Sequence, residues 1–306
     1  KNYYVRNASS DSTQIVYQCG GRIFVYSLTT QKTKHIKISY HSSKNDIGRK
    51  FISTSDFIER YSLNNDNSFI NIISRGKAFS MGNWDGPVMQ HGETNGIRYN
   101  HPSTLKNNKS VLLTSDYKNN DCFEIHSLDN KKLIKRLKAK CGRVLSLKRS
   151  PVSDLFSIIN HKHELHIYDI KKDKMSKIDR SENTPLSSNW SPCGNFIAYS
   201  CSNKRKCRII KIYDLKKKKV NIITESVSSD SSPVFSCDGK YLAFLSNRTF
   251  KPIYDSIQFD LGFPKADKPY IVVLAKKTES PFLKNPTNKI KDNDKKKKKN
   301  STKKIT

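Results

Sequence analysis

A polar turn followed by a short apolar run recurs six times in this chain: "SSDSTQIVYQ", "LNNDNSFINI", "LKNNKSVLLT", "SPVSDLFSII", "SPCGNFIAYS" and "SCDGKYLAFL". The apolar runs begin at Ile15, Phe69, Val111, Leu155, Phe196 and Tyr241. After a first step of 54 residues, the spacing stays between 41 and 45. A period of this length marks one supersecondary unit repeated and stacked, each copy burying against its neighbours what it cannot bury alone.

The unit is made of strands. A second type of run follows four of the six: "RIFVYSL" at 22, "CFEIHSL" at 122, "ELHIYDI" at 164 and "IIKIYDL" at 209. Each alternates apolar and polar residues and ends in a polar turn, the period-two signature of a strand with one covered face. Gly and Asn in "CGN", "CDG" and "NNDN" suit turns that need positive φ. Helical periodicity is missing, apart from a short turn near "TSDFIERYSL". Four short strands every 40 to 45 residues describe a β-propeller blade. The expected fold is therefore all-β, a propeller of four-stranded antiparallel blades over residues 1–283, with six repeats visible. The first repeat has little sequence before it to supply an inner strand. A preceding blade lost from the N-terminal side would bring the ring to seven.

Composition limits the remaining options. Hydrophobic residues make up 35% of the 306, with 14 Tyr and 14 Phe supplying bulk that suits strands. No apolar run approaches the roughly 18 residues of a membrane helix. The opening "KNYYVRNASS" does not read as a signal peptide, and without an initiating Met it reads as a fragment or a processed chain. Residues 284–306 hold ten Lys and two Asp with almost no aliphatics, and are expected to form a disordered basic tail. The net charge of +30 favours anionic partners, nucleic acid above all, bound without sequence preference. A solvated surface rich in Lys and Asn, as an AT-rich genome encodes, is the simpler account. Seven Cys, an odd number with no C-x-x-C pair, exclude a complete disulfide framework and point to reduced thiols in the cytoplasm.

Candidates for chemistry are weak. "HKHELH" brings His161, His163 and His166 together beside Glu164, but on a strand only His161 and His163 share a face. A polar hairpin turn explains the cluster better than a zinc site. No Ser lies on a G-x-S-x-G elbow, and no glycine loop leads into a phosphate-binding helix. Catalytic residues, metal ligands and cofactors are therefore expected to be absent. "GNWDGP" is the most turn-rich insertion, and Trp84 within it is a candidate contact at the pore mouth, with a tryptophan tucked under its loop as the simpler reading.

"NWSPCGNFIAYS" resembles the W-S-P-D-G-K repeat of TolB-like propellers, with Cys193 where Asp is usual, and "SPVFSCDGKYLAFLSNRTF" is a degraded copy. "FLSNRTFKPIYDSIQFDLGFPKADKPYIVVLAKKTESPF" is more specific and resembles the last blade of the seven-bladed propeller in the tricorn family of serine peptidases. "SRGKAFSMGNWDGPVMQHGETNGIRYNHPS", "GRVLSLKRSP" and "NHKHELHIYDI" resemble the same propeller, so the likeness runs in order from about residue 13 to 283. It implies a non-catalytic channel and filter in a peptidase that degrades oligopeptides downstream of the proteasome. It also implies oligopeptide substrates and a catalytic half (PDZ-like and nucleophile-bearing) as partners, with homo-oligomers a further option. A freestanding propeller scaffold for acidic proteins or RNA is the alternative.

One connection departs from the repeat. Between "YLAFLS" and "KPYIVVL" the chain carries Phe250, Ile253, Tyr254, Ile257, Phe259, Leu261 and Phe263, with Pro252 and Pro264 limiting its conformations. Long loops without a task are uncommon, and so apolar a loop is expected to bury part of itself on its own blade and to offer the rest as a docking surface for the catalytic half.

Overall fold

The computed structural model describes residues 4–39, 41, 52–94, 96–117, 121–183, 186–204, 206–225, 227–276 and 278–283. The expectation for 284–306 lies outside them. The described residues form sheets joined in chain order, with no α-helix among them and a 3-10 turn at Thr54–Phe57.

The first sheet holds β1 (Val5–Ser10), β2 (Gln14–Cys19), β3 (Arg22–Ser27) and β4 (Thr33–Ile36). The second holds β5 (Ile58–Leu63), β6 (Phe69–Ser74), β7 (Lys77–Gly82) and β8 (Met89–His91). In the third are β9 (Tyr99–Thr104), β10 (Ser110–Ser115), β11 (Cys122–Ser127) and β12 (Leu133–Arg136). The fourth runs β13 (Val144–Arg149), β14 (Leu155–Asn160), β15 (Glu164–Asp169) and β16 (Lys174–Arg180). The fifth runs β17 (Ser187–Trp190), β18 (Phe196–Ser202), β19 (Arg208–Asp214) and β20 (Lys219–Ile222). The sixth pairs β21 (Asp230–Phe235), β22 (Tyr241–Ser246) and β25 (Lys268–Val273). Between β22 and β25 stands a separate hairpin of β23 (Ile253–Asp255) and β24 (Asp260–Gly262). All pairings are antiparallel and, except for β22 with β25, join sequence neighbours, the meander topology of propeller blades. The first repeat does have its inner strand: β1 pairs with β2 from Val5 onward.

The six apolar runs of the repeat are the second strands of the six sheets. The turn before four of them closes in the same way. Asn67, Asn108, Gly194 and Gly239 occupy equivalent places with φ of 59, 54, 68 and 69°, and each N–H bonds the carbonyl three residues back. Residues that tolerate the left-handed region are required there, and Asn and Gly supply it.

Adjacent sheets meet through their first strands, β5 with β9, β9 with β13, β13 with β17 and β17 with β21. Their faces bury a series of apolar seams. Leu112, Phe123, Phe156, Ile158 and Tyr168 fill the seam between the third and fourth sheets, and Leu165, Trp190, Ile197 and Tyr199 that between the fourth and fifth. Each such side chain contributes about 1.5–3 kcal/mol by leaving water. Polar latches cross the same seams. His101 Nε2 donates to the Leu145 carbonyl (3.1 Å), and Lys148 Nζ to that of Ser188 (2.7 Å). Trp190 Nε1 donates to the Lys148 carbonyl (3.1 Å), and the Phe235 amide to Asn189 Oδ1 (3.1 Å).

Candidate functional site

The hairpin at β23–β24 is anchored by an arginine. Arg248, two residues past β22, donates from one terminal nitrogen to both oxygens of the buried Asp230 (3.0 and 2.9 Å) and from Nε to Ser246 Oγ (2.9 Å). Its guanidinium also lies over the rings of Phe244 and Tyr270, 5.5 and 5.1 Å from their centroids. Thr249 and Tyr270 share a hydroxyl contact of 2.6 Å. The guanidinium plane thus satisfies a carboxylate along its edge and packs on aromatic faces, which lysine could not do.

Beyond this root the chain turns outward. Tyr254 pairs with Leu261 and Ile253 with Gly262, and Asp255 Oδ1 accepts the Ile257 amide at 2.8 Å to close the turn. Phe250 and Phe263 meet at the base, ring centroids 5.2 Å apart. The expected packing of part of this segment on its own blade does not occur. All seven apolar side chains are exposed, from 43% for Phe263 to 86% for Ile257. Two strands alone have no second layer to cover either face, so the apolar surface stays in water.

Trp84 lies in the turn between β7 and β8 and is 94% exposed. It is not tucked under its loop. That turn joins the third and fourth strands of its blade, whereas the first strands of adjacent blades meet one another.

The histidine cluster forms a turn, as expected. His161 and His163 sit between β14 and β15, His163 at φ 57°, and the Arg143 amide donates to His161 Nδ1 at 3.1 Å. Glu164 is held by Lys177 (2.7 Å), Asn160 (2.8 Å) and His166 (3.3 Å). Burial would raise its pKa, but those bonds and the Lys177 charge outweigh it and bring it down to about 2. Among the described residues no group of three or more His, Cys, Asp or Glu is arranged to hold a metal ion.

A buried polar chain between the second and third sheets escapes the sequence pattern. Asn71 donates to Thr104 Oγ1 (2.8 Å), Ser80 Oγ to Asn71 Oδ1 (2.6 Å), and His91 Nε2 to Ser80 Oγ (2.8 Å). Across the seam His126 Nε2 donates to Glu124 (2.9 Å), which also accepts from Ser115 (2.8 Å) and Arg136 (3.0 Å). The imidazoles lie 6.2 Å apart. Burial and then the His126 charge push His91 down to about 4, and burial and then Arg60 do the same to His101. Ser80 beside His91 imitates a nucleophile and base, yet both are 1% exposed and the hydroxyl proton goes to Asn71. No substrate reaches this serine, and the arrangement is a scaffold.

Fold and surface together define a β-propeller that presents an apolar hairpin. The model of the tricorn protease second beta propeller domain matches residues 58–306, and the chain belongs to this family. It is 35% identical over 281 residues to a tricorn-like protease C-terminal subunit of Sulfurisphaera tokodaii, covering 92% of this chain and 32% of that relative. A tricorn protease homolog of Saccharolobus solfataricus is 32% identical over 295 residues, covering 96% of this chain and 27% of the relative. A crystal structure of the tricorn protease superposes with a TM-score of 0.68 at 24% identity, over 94% of this chain and 28% of that one, which supports the fold. The chain thus spans a third or less of the relatives it matches. No helix among the described residues is long and apolar enough to cross a membrane.

Proposed function

We propose that this chain is the non-catalytic propeller portion of a tricorn-like serine peptidase, acting as channel and filter for oligopeptides released by the proteasome. The observation that carries the reading is the family match over residues 58–306. The seven exposed side chains of the β22–β25 connection then serve as the docking surface for the catalytic half, the region that would occupy the remaining length of such relatives. Burying even four of them contributes several kcal/mol, at about 1.5–3 each. The Arg248 anchor fixes the direction of the hairpin, so little ordering is left to do on association. Seven unbridged thiols fit a cytoplasmic setting.

Catalysis in this reading belongs outside the propeller. The isolated chain is expected to turn over no fluorogenic tri- or tetrapeptide, because its sequence has no Ser on a G-x-S-x-G elbow and the Ser80–His91 pair is buried out of a substrate's reach. In the full-length peptidase, residues 253–263 replaced by a short Gly-Ser turn should lower both peptide hydrolysis and association of the two halves. The propeller itself should stay folded by circular dichroism. Unchanged hydrolysis would remove the docking role, and turnover by the purified isolated chain would overturn the division of labour.

A further inference from the structure

Arginines from two distant blades face each other across one cleft. Arg6 on β1 and Arg143 just before β13 line a cavity of about 220 Å³ together with Tyr4, Gln18, His161 and the Gly20–Gly21 turn. Tyr4 reaches over from the first sheet and donates from its hydroxyl to the His161 carbonyl at 3.4 Å, its ring edge-on to the imidazole at 6.3 Å. The Arg143 amide donates to His161 Nδ1, which places the ring proton of the neutral imidazole on Nε2. Gly142 lets the imidazole lie there, since a Cβ at that position would come within 2.4 Å of its Cε1.

The cleft has donors without an anion. Among the described residues neither Arg6 nor Arg143 makes an ion pair. Two carboxyls act on His161 from nearby: Asp121 accepts the Val144 amide at 2.8 Å, with burial raising its pKa against the pull of that amide and of Arg143, and Glu164 is held by Lys177 at 2.7 Å. With the Arg143 amide and the Tyr4 hydroxyl already committed to His161, the two guanidiniums are left facing so small a space, and they suit a carboxylate, which accepts from arginine in a fork. The volume falls below the roughly 300–1,000 Å³ of sites that enclose a whole small molecule. It fits the end or one side chain of a longer ligand. A nucleotide, with base and sugar, would overfill it.

We propose that this cleft binds a carboxylate of an oligopeptide, either the C-terminal group or an Asp or Glu side chain, with Arg6 and Arg143 as its receptors. The proposal rests on the reading of the propeller as a peptide path, and it adds a preference for acidic or free-ended peptides to that path.

Fluorescence anisotropy with the chain and labelled hexapeptides tests it. The four probes are a peptide with a free C-terminus and no acidic residue, its C-terminal amide, the amide with one internal Glu, and a single-stranded oligouridylate. At least one carboxylate-bearing peptide should bind about tenfold or more tightly than the neutral amide, and the advantage should shrink as salt rises. Which of the two does so identifies the source of the carboxylate. Arg6→Ala and Arg143→Ala should each remove most of the advantage and the double variant all of it, while Lys174→Ala on the exposed β16 should change nothing. Matching thermal unfolding curves would exclude misfolding, and Arg143→Lys, which keeps charge but loses the fork, should recover only part. Peptide binding indifferent to the arginines overturns the cleft and leaves the channel standing. Tighter binding of the oligouridylate, lost in the same variants, makes it a phosphate site and also overturns the proposal. A chain that binds no peptide of any charge overturns both readings.

Discussion

The strands β10 and β2 are written in the same code and live in different surroundings. "SVLLTS" in the third sheet is buried at all six positions, whereas in "QIVYQC" of the first sheet only Tyr17 is buried. Their partners follow suit: β9 is mostly buried and β1 is exposed throughout. Both sheets have four antiparallel strands, and the first pair in each carries one register irregularity, so backbone pairing does not separate them. Neighbours do. The third sheet is flanked on two sides, with β9 touching β5 and β13, whereas the substantial strand contacts of β1–β4 are confined to their own sheet. A blade is a strand pattern first and a stable body only when stacked.

The largest expected effect breaks a seam that has both neighbours. Phe156→Ala, in the cluster between the third and fourth sheets, should cost about 3–5 kcal/mol, since it leaves a cavity that close-packed surroundings cannot collapse into. Val16→Ala in the first sheet, where Val16 is already 39% exposed, should cost about 1 kcal/mol or less. Urea denaturation of the two variants checks the contrast, and equal costs would erase it.

Next comes the buried carboxylate. Glu124→Ala should destabilise by about 3 kcal/mol, because it strands His126, Ser115 and Arg136 at once. Glu124→Gln, which keeps the shape and can accept from two of the three, should cost less. If both variants cost the same, the loss is one of charge and not of volume. The same denaturation curves decide it.

A smaller effect depends on pH. His91 and His101, held down at about 4, refuse protons that the unfolded chain accepts from about pH 6.5. Stability should therefore fall as pH drops from about 6.5 to about 4, by on the order of 2–3 kcal/mol per histidine, and this contribution should level off below. Glu164, brought down to about 2, adds a further loss only below about pH 4.5. His91→Gln should flatten the first slope, read from melting temperatures across the range. A flat profile between pH 7 and 5 would contradict the burial of these rings.

These contrasts explain what the sequence disclosed. The observed starts of β6, β14, β18 and β22 at Phe69, Leu155, Phe196 and Tyr241 coincide with the expected ones, because a polar turn before an apolar run is a local signal. The inner strand β1 is hard to read from sequence because "VRNASS" lacks apolar alternation, which backbone pairing alone does not require. Glu124 and His126 in "CFEIHS" read as the wet face of an alternating strand. They are buried because a middle blade is covered on both faces, a fact of assembly and not of the strand. The hairpin's composition was conspicuous from Phe250 to Phe263, but its exposure depends on what surrounds it in space, and no local pattern records that.

Native-state hydrogen exchange, followed by mass spectrometry on the intact chain at rising urea, tests the dependence of each blade on its neighbours most directly. Amides of β10, β14 and β18 should exchange only through global unfolding and share one free energy, while those of β1–β4 should exchange earlier through local opening. A single free energy common to β2 and β14 would contradict it.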